Sequence, residues 1–548
     1  MIHLVEIEGL NPAGTLVTHY FCTLDTVARG GFISAPTDTP PNKIYEPRVI
    51  NPGTYERHLW RPGQTQGAGF VTVGVVEIAN ADGVLDSWID WDWDGRAVRI
   101  LRGDADAPRA SFEVMLIGTA QSLSLSWTMV QINLRDRMAE VSAMPIVTDR
   151  YGGTNVLPNG VDGTKDDVKD KYRPWVLGEV EGISPPRVNS SKLIYEISRY
   201  PIAALVGVQE GGNAITAGTV RANIAALEAG VPASGHYDWC LGTGTEGAYF
   251  RLGSSPLLPI TCMVQEGANA AARTIAQIVK RILLRLGIDA SDLTRLDEFD
   301  ALQAGVVGWY VDINGADAGV VINALCASGG TSWTVRRDGT FELLRLQQPA
   351  ASTRVAIYDQ STYDSGKVYG PVGDNTTLIV THILDSSTPL AIIPTDNNTG
   401  GVPNYEIDLS WQHNWTVMTG ADVAGVVTDA RTDWLGLAYR STKVTAPGIW
   451  NPTTKVGRNP LSKPLEIVTQ FRVEADAIAE ANRLVTLYGV RRRYFSLTVS
   501  APVVGGVDLG AIITLIMPRF GCEAGSDFML TGMLEDRAAN ITELFLWQ

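Results

Sequence analysis

The chain is poor in cysteine and has no pair spaced as Cys-x-x-Cys. Five cysteines occur in 548 residues, at Cys22, Cys240, Cys262, Cys326 and Cys522. An odd, widely scattered set speaks against a disulfide framework and for folding in a reducing, cytoplasmic compartment. No apolar run approaches the ~20 residues that a membrane-spanning helix needs. No basic stretch followed by an apolar one opens the chain, so no secretory signal is expected. Basic residues are outnumbered, with 44 Lys and Arg against 59 Asp and Glu, for a formal net charge of −15. Phosphate contacts need Lys and Arg, so sequence-specific nucleic-acid binding is not expected. Such a balance keeps a chain soluble, and it would also let nucleic acid pass along a wall without sticking.

The motifs of common catalytic machines are missing or misplaced. There is no Gly-x-Ser-x-Gly and no Walker A sequence. Gly242-Thr243-Gly244-Thr245-Glu246-Gly247 spells the dinucleotide fingerprint, but a strand-like run and then Pro256 and Pro259 follow it where a helix must begin. Asp90, Asp92, Asp94 and Gly95 start like a calcium loop, yet the twelfth position is Leu101 rather than a bidentate Glu, and the flanks read as strands. This segment is read as a solvated acidic turn packed by tryptophans. Asp312, Asn314, Gly315 and Asp317 fail in the same way and read as a turn with a helix N-cap. His236 and Cys240 are spaced for zinc but lack two further ligands. Asp166 and Asp167 lie among lysines in a loop, where carboxylates are solvated rather than poised for acid–base work. No residue is assigned a catalytic, cofactor-binding or metal-binding role, and no cofactor is expected.

What is present is an ordered, strand-rich chain. Hydrophobic residues make up 45%, mean hydropathy is +0.04, and there are 55 glycines. This length exceeds one hydrophobic core and implies two to four domains. Phe70 to Ile78 reads as a strand apolar on both faces, and Ala97 to Arg102 as a second. Leu123 to Met129 alternates strictly, after which Val130, Ile132 and Leu134 carry the apolar pattern one residue out of phase, which predicts a β-bulge near Met129. Helices are expected over Arg273 to Leu286, Ala316 to Ala327 and Glu474 to Tyr488. The second should run into a hairpin, Ser332 to Arg336 and Thr340 to Leu346, forming a small α+β unit. Arg491, Arg492 and Arg493 read as charge complement to the end of the third helix. Residues 384–404 and 447–464 read as linkers or long loops. Trp175 to Val180, Leu193 to Ser198 and three closing strands (Leu509 to Met517, Phe528 to Leu534, Ile541 to Trp547) complete the pattern.

Four blocks carry a resemblance. The first is Glu77-Ile78, Asn80, Asp82-Gly83 and Leu85-Asp86, with Asp94-Gly95-Arg96 after it. The second is Tyr151, Gly153-Thr154-Asn155, then Gly178, Val180, Pro186, Val188 and Leu193-Ile194-Tyr195. The third is Gly247 to Gly267, with Leu258 where a glycine is usual. The last is Leu509-Gly510, Pro518-Arg519-Phe520-Gly521 and Leu546-Trp547. In this order they resemble the baseplate hub, or tail-tip hub, proteins of long-tailed (siphovirus-like) bacteriophages. Each block alone is weak; their order over most of the chain is the specific part.

The resemblance implies an α+β, β-rich multidomain fold, with two β-barrel-like ring domains plus a peripheral α+β insert. The expected divisions are 1–145 for an N-terminal ring domain, 146–265 for a loop-rich β domain, 266–350 for a small α+β insert, and 351–548 for a C-terminal ring domain. It implies a non-enzymatic homotrimer at the tail tip of the virion, assembled in the host bacterial cytoplasm. Its partners would be the distal tail protein, the C-terminus of the tape-measure protein, and tail fibre or tip proteins. Two other classes stay open on the residues alone. A β-rich polysaccharide or cell-wall hydrolase needs two poised carboxylates; a carbohydrate-binding adhesin needs aromatic side chains exposed on one sheet.

Overall fold

The computed structural model describes residues 2–60, 69–350, 354–359, 382–383, 391–392, 407–416, 431–432, 437–445, 465–488, 493–499, 507–517, 520–538 and 541–548. The chain divides into two compact units. The first comprises Met1–Val141, Ser332–Pro403 and Val490–Gln548; the second comprises Ser142–Thr331 and Asn404–Gly489.

The first unit begins with ten strands: β1 (Ile2–Leu10), β2 (Leu16–Thr23), β3 (Phe32–Ile33), β4 (Ile44–Asn51), β5 (Thr54–His58), β6 (Phe70–Val73), β7 (Val76–Ala79), β8 (Ala97–Gly103), β9 (Glu113–Leu125) and β10 (Met129–Asp136). Seven of them close a barrel in the order β2-β1-β8-β9-β10-β7-β4, and a parallel β4–β2 pairing returns to the start. Closure leaves no unpaired edge among these seven. Val5, Ile7, Phe21, Val49, Ile78, Val98, Ile100, Leu116, Val130 and Ile132 form one buried cluster within this barrel. Each such side chain taken from water contributes about 1.5–3 kcal/mol. A second cluster holds Ile2, Leu4, Cys22, Phe32, Tyr45, Leu101 and Phe112. β1 therefore buries residues of both parities, which suits a strand covered on both sides.

The stretch from Phe70 to Ile78 is two strands, not one. β6 pairs with β5, while β7 pairs with β10 and β4. The break falls at Gly74, whose N–H donates to the Thr54 carbonyl at 2.8 Å. A Cβ there would lie 2.4 Å from Thr54 Oγ1, so only glycine permits the crossing. The expected bulge near Met129 is likewise a hairpin turn joining β9 to β10. Ser126 N–H donates to the Met129 carbonyl at 2.8 Å, and the Ser126 hydroxyl closes the same turn. The slip in apolar phase is the reversal of chain direction, and Trp127 sits at its tip 96% exposed. The register irregularity of this pair lies further on, between Asn133 and Leu134.

The C-terminal part of the first unit is a mixed sheet. Its order is His382–Ile383, Arg354–Asp359, Ile512–Ile516, Ser526–Asp536, Ile541–Trp547, Tyr494–Val499 and Ala391–Ile392. Phe495, Leu497, Ile513, Leu515, Phe528, Leu530, Met533, Leu544 and Leu546 make its core. The long strand Ser526–Asp536 exchanges partners along its length. Its first half pairs with Ile512–Ile516, and Gly532 to Asp536 pair with β5. An N-terminal strand is thus woven into the C-terminal sheet.

The second unit has two five-stranded sheets over a shared core that includes Val176, Val180, Ile197, Tyr237, Phe250, Cys262 and Val264. Helix Ile275–Arg285 is capped by the Thr274 hydroxyl, which accepts from Gln277 N–H, and buries Ile275, Ile278, Val279, Ile282 and Leu283. Helix Ala318–Ser328 has Asp317 at its N-cap, as expected, although the Asp317 side chain makes no capping hydrogen bond. A four-stranded sheet (Arg431–Thr432, Leu437–Thr445, Ile407–Thr416, Leu465–Thr469) and helix Glu474–Tyr488 complete it. The helix-and-hairpin pair expected as one α+β unit is split. The helix belongs to the second unit, and the hairpin Thr331–Val335 with Phe341–Arg345 belongs from Ser332 onward to the first. The reason is the charge carried by that hairpin, described below. The predicted linkers at 384–404 and 447–464 lie outside the described residues, apart from Ala391–Ile392.

Gly9 faces the tryptophan cluster of the acidic turn; a Cβ there would come 2.8 Å from the Trp93 ring and 2.9 Å from Trp91. Replacing Gly9 with Val should lower stability by roughly 1–3 kcal/mol through overpacking. Replacing Trp127 with Ser should stay within about 0.5 kcal/mol of the parent. Thermal unfolding of the two variants against the parent measures both.

Candidate functional site: a buried charge network

Among the described residues a concentration of buried charge lies where the N-terminal barrel, the hairpin and the C-terminal sheet of the first unit meet. Arg57 comes from β5, and its side chain is fully buried. Its Nη1 donates to Asp508 Oδ1 at 2.5 Å, its Nη2 to Glu342 Oε1, and its Nε to Thr334 Oγ1 at 3.1 Å. Arg336 closes the ring, reaching Glu342 Oε2 at 3.1 Å and Asp508 Oδ2 at 3.2 Å. Two guanidiniums and two carboxylates therefore alternate, drawn from three distant parts of the chain.

A second group adjoins the first. Arg337 donates to Glu535 and lies 3.7 Å from Glu113, which also accepts from Arg102 at 2.8 Å. Arg537 has no carboxylate so close; Glu535 Oε2 is 4.0 Å from its Nε. It donates instead to the carbonyls of Met115 at 2.9 Å and Pro52 at 3.4 Å. Both Arg337 and Arg537 lie over the Tyr55 ring, at 6.0 and 5.7 Å from its centre.

The protonation of these groups follows from burial set against pairing. Burial pushes the Asp508 carboxyl up, but Arg57, Arg337 and Arg336 outweigh it and hold Asp508 below the usual carboxylate range. Burial works against charge on Arg57 too, and Asp508 and Glu342 more than restore it. Arg537 goes the other way. Burial dominates, Glu535 offsets only part, and its guanidinium is depressed to about 10. His3, opposite Arg102 across β1 and β8, is lowered to about 3, by burial first and then by Arg537 and Arg102.

The second unit has its own buried carboxyl. Glu196 accepts from Arg173 at 3.0 Å, and Arg173 also pairs with Asp162 at 2.6 Å. Burial raises Glu196 despite Arg173, and it raises Tyr249 beside it. The Glu196 side chain is fully buried, while Arg173 and Asp162 are partly exposed.

The residues weighed from sequence are dispersed. Gly242 to Gly247 form the loop between strands His236–Cys240 and Ala248–Leu252, with no helix after it. His236 and Cys240 are at the two ends of one strand, and His236 Nδ1 lies 3.0 Å from the Ser234 carbonyl. Asp94 accepts from Arg135 at 3.1 Å, and the Asp92 backbone pairs with Leu10. Trp88, Trp91 and Trp93 surround His19 at ring separations of 4.6, 5.0 and 6.0 Å, so this turn is a packing device for the barrel. Asp167 Oδ1 accepts from Thr164 N–H within its loop. Arg493 does not complement a helix end. It donates to the carbonyls of Phe520 and Gly521 and lies 5.5 Å from the centre of the Phe528 ring, while Arg491 and Arg492 lie outside the described residues. Among the described residues no three His, Cys, Asp or Glu side chains are grouped as metal ligands would be. All five cysteines are buried, and none of them is in a disulfide. The charge network was missed from sequence. Its one local signal is charge set against apolar strand ends: Arg57-His58 before Leu59-Trp60, and Glu535-Asp536-Arg537 after Met533-Leu534.

No family model matches the chain, and no curated protein matches it. Solved structures do align with it, and they are tail or virion proteins. The 43 kDa tail protein of prophage MuSo2 from Shewanella oneidensis is 10% identical, with 92% of this chain and 95% of that one covered and a TM-score of 0.35. A tail protein from Neisseria meningitidis MC58 is 10% identical, with 100% and 96% covered and a TM-score of 0.36. A chain from the virion of a native gene transfer agent particle is 12% identical, with 75% and 93% covered and a TM-score of 0.37. At scores this low the fold rests on the chain's own strand pairing.

Removing Arg57 as Arg57→Met leaves Asp508 and Glu342 short of a partner in the interior. It should cost roughly 3–5 kcal/mol, the scale for breaking a buried ion pair from one side. Hydrogen exchange of strand Ser526–Asp536 and the melting midpoint would report it. Acid should act in two stages. Burial holds His3 at about 3 in the fold against its ordinary value of 6.5, so the unfolded chain takes up that proton first. Stability then falls as pH drops from about 6.5 towards 3, by about 1.4 kcal/mol per pH unit for this one proton. Asp508, depressed in the fold, contributes stability above the ordinary carboxylate value of 3.8 that is lost as pH falls below it. His3→Gln should remove one proton's worth of slope from the upper stage and leave the lower stage intact, as read by denaturant titrations across pH.

Proposed function

We propose that this chain is the subunit of a phage tail-tip hub: a structural, non-enzymatic virion protein. It forms a homotrimeric ring at the tail tip, assembled in the host bacterial cytoplasm. In this reading each subunit supplies two ring domains, about 1–145 and 351–548, with 146–265 and 266–350 as peripheral domains, except that the hairpin from Ser332 goes with the ring part and Asn404–Gly489 with the peripheral part. Three copies then present six similar positions, which adapts a sixfold tube to a threefold tip. The neighbours would be the distal tail protein, the tape-measure C-terminus in the lumen, and fibre or tip proteins beyond. The work is mechanical: hold the tail closed, then line an exit channel for DNA.

One observation carries the reading. The closed N-terminal barrel lends β5 to the C-terminal sheet, so one chain holds two coupled β domains in a single compact unit. A coupled pair per chain is what doubling threefold symmetry requires. The ordered motif blocks support it, since the first lies in the barrel and the last in the C-terminal sheet. The exposed aromatic face that an adhesin would need finds no support. Among the described residues whose exposure is known, Trp127 and Phe520 are the exposed aromatic side chains, and they lie at separate turns. The excess of acid would ease DNA passage by repelling phosphate from the channel wall; a channel lined by Lys and Arg would overturn that part.

Native mass spectrometry of the purified chain, with two-dimensional image averages of the same sample, tests the proposal. A trimer with a threefold ring is expected. A clean monomer at high concentration that also clears peptidoglycan in a zymogram would sink it in favour of a hydrolase.

A further inference from the structure

Three connections of the N-terminal barrel meet at one of its ends: the β1–β2 turn, the acidic connection from Asn80 to Arg96 between β7 and β8, and the β9–β10 turn. Backbone hydrogen bonds tie them together. Leu10 and Asp92 exchange N–H and carbonyl at 3.1 and 2.9 Å, and Asn80 N–H donates to the Thr128 carbonyl at 2.7 Å. Trp127 precedes Thr128, so the tip of the β9–β10 turn is held against the acidic connection. The inner side of this end is packed, with Leu85, Trp88 and Trp93 in the barrel core. The outer side is apolar and wet. Val84 is 61% exposed, Ile89 73% and Trp127 96%.

An indole this exposed adds nothing to the packing of the fold. It leaves water only when a partner covers it, and tryptophan is among the side chains that most often carry binding energy at interfaces. Charge decides what the partner is. The stretch from Asn80 to Arg96 holds five aspartates and one arginine. Asp82 pairs with Arg48 and Asp94 with Arg135, while Asp86 accepts from the Asn80 amide at 2.9 Å. Asp90 and Asp92 are exposed and pair with no basic side chain among the described residues. The apolar tips thus share this end with carboxylates that nothing in the chain neutralises. An anionic bilayer or a nucleic acid would be repelled. The same end of a second copy would bring the same aspartates. A surface that sets Lys or Arg beside apolar side chains complements both features.

We infer that this end of the barrel docks another polypeptide, through a segment of that partner in which Lys or Arg flanks an apolar side chain. Trp127 is the anchor, Val84 and Ile89 extend the apolar contact, and Asp90 and Asp92 receive the basic groups. The inference stands apart from the tail-hub reading, since it concerns one end of one barrel and holds in any trimer state.

A labelled synthetic peptide of alternating Lys and Leu, titrated with the full chain, tests the surface, with a Glu and Leu peptide as the reversed charge. Saturable binding of the Lys peptide is expected. Trp127→Ser should weaken it roughly thirtyfold, the scale of an interface anchor. Asp90→Asn with Asp92→Asn should weaken it about three- to tenfold and flatten its dependence on salt. Trp127→Ser leaves the fold intact, as its melting midpoint checks, so lost binding is not lost structure. Equal binding by the parent and Trp127→Ser would reduce the effect to the chain's overall acidity and overturn the inference. No saturable binding, or equal binding of the Glu peptide, would overturn it too. Two further results would replace the partner. Flotation of the parent but not Trp127→Ser with phosphatidylcholine and phosphatidylglycerol vesicles would make the surface a membrane contact. A smaller assembly for Trp127→Ser in sedimentation velocity would make it a contact between copies.

Discussion

The ion ring of Arg57, Asp508, Glu342 and Arg336 is the constraint on which the first unit depends. Taking four charges out of water costs far more than any one contact returns, and only simultaneous pairing offsets it. The four partners come from three stretches of chain: a strand between barrel strands, a hairpin after residue 331 that supplies both Arg336 and Glu342, and the approach to the closing strands. Remove one stretch and the others are left with buried charge. The three must therefore arrive together. Alternating guanidinium and carboxylate groups tie β5 to the hairpin and to Asp508, beside the strand Ser526–Asp536 with which β5 also pairs.

The barrel supplies the frame for that strand. β5 leaves β4 through Pro52 and Gly53, crosses to the C-terminal sheet, and returns through β6 before Gly74 releases the chain into β7. The excursion happens without opening the barrel, because β4 and β7 pair with each other across its base. The tryptophans of the acidic turn pack around His19 and over Gly9, so the connection from β7 to β8 is held by aromatic packing. The acidic residues that look like ligands in the sequence are the solvent side of that packing.

Several elements were legible before any coordinates. The helix Ile275–Arg285, expected over Arg273 to Leu286, declared itself through its apolar stripe and Gly287, both local features; its Thr274 cap came from the structure. Helix Glu474–Tyr488 and the closing strand Ile541–Trp547 have the bounds that periodicity assigned them. Local chemistry suffices where one face is buried and one is wet. It failed at Met129, where a phase slip of one residue fits a bulge and a hairpin equally well; the deciding hydrogen bonds of Ser126 are not written in the apolar pattern. It failed again at Phe70 to Ile78, because two strands in line read as one when both faces are apolar.

The candidate site was not legible at all. A lone Arg57, an Arg336-Arg337 pair and Glu535 each look like surface charge, since burial is a property of what packs against a residue from elsewhere in the chain. Composition, turn chemistry and periodicity settled that this is a strand-rich chain with helices at stated places and no local catalytic motif, because those follow from neighbours within a few residues. Which strands pair, where the barrel closes, to which unit the hairpin belongs and which charges lose their water were settled by folding. They depend on contacts between residues hundreds of positions apart, and the cost of an unpaired buried charge selects among them.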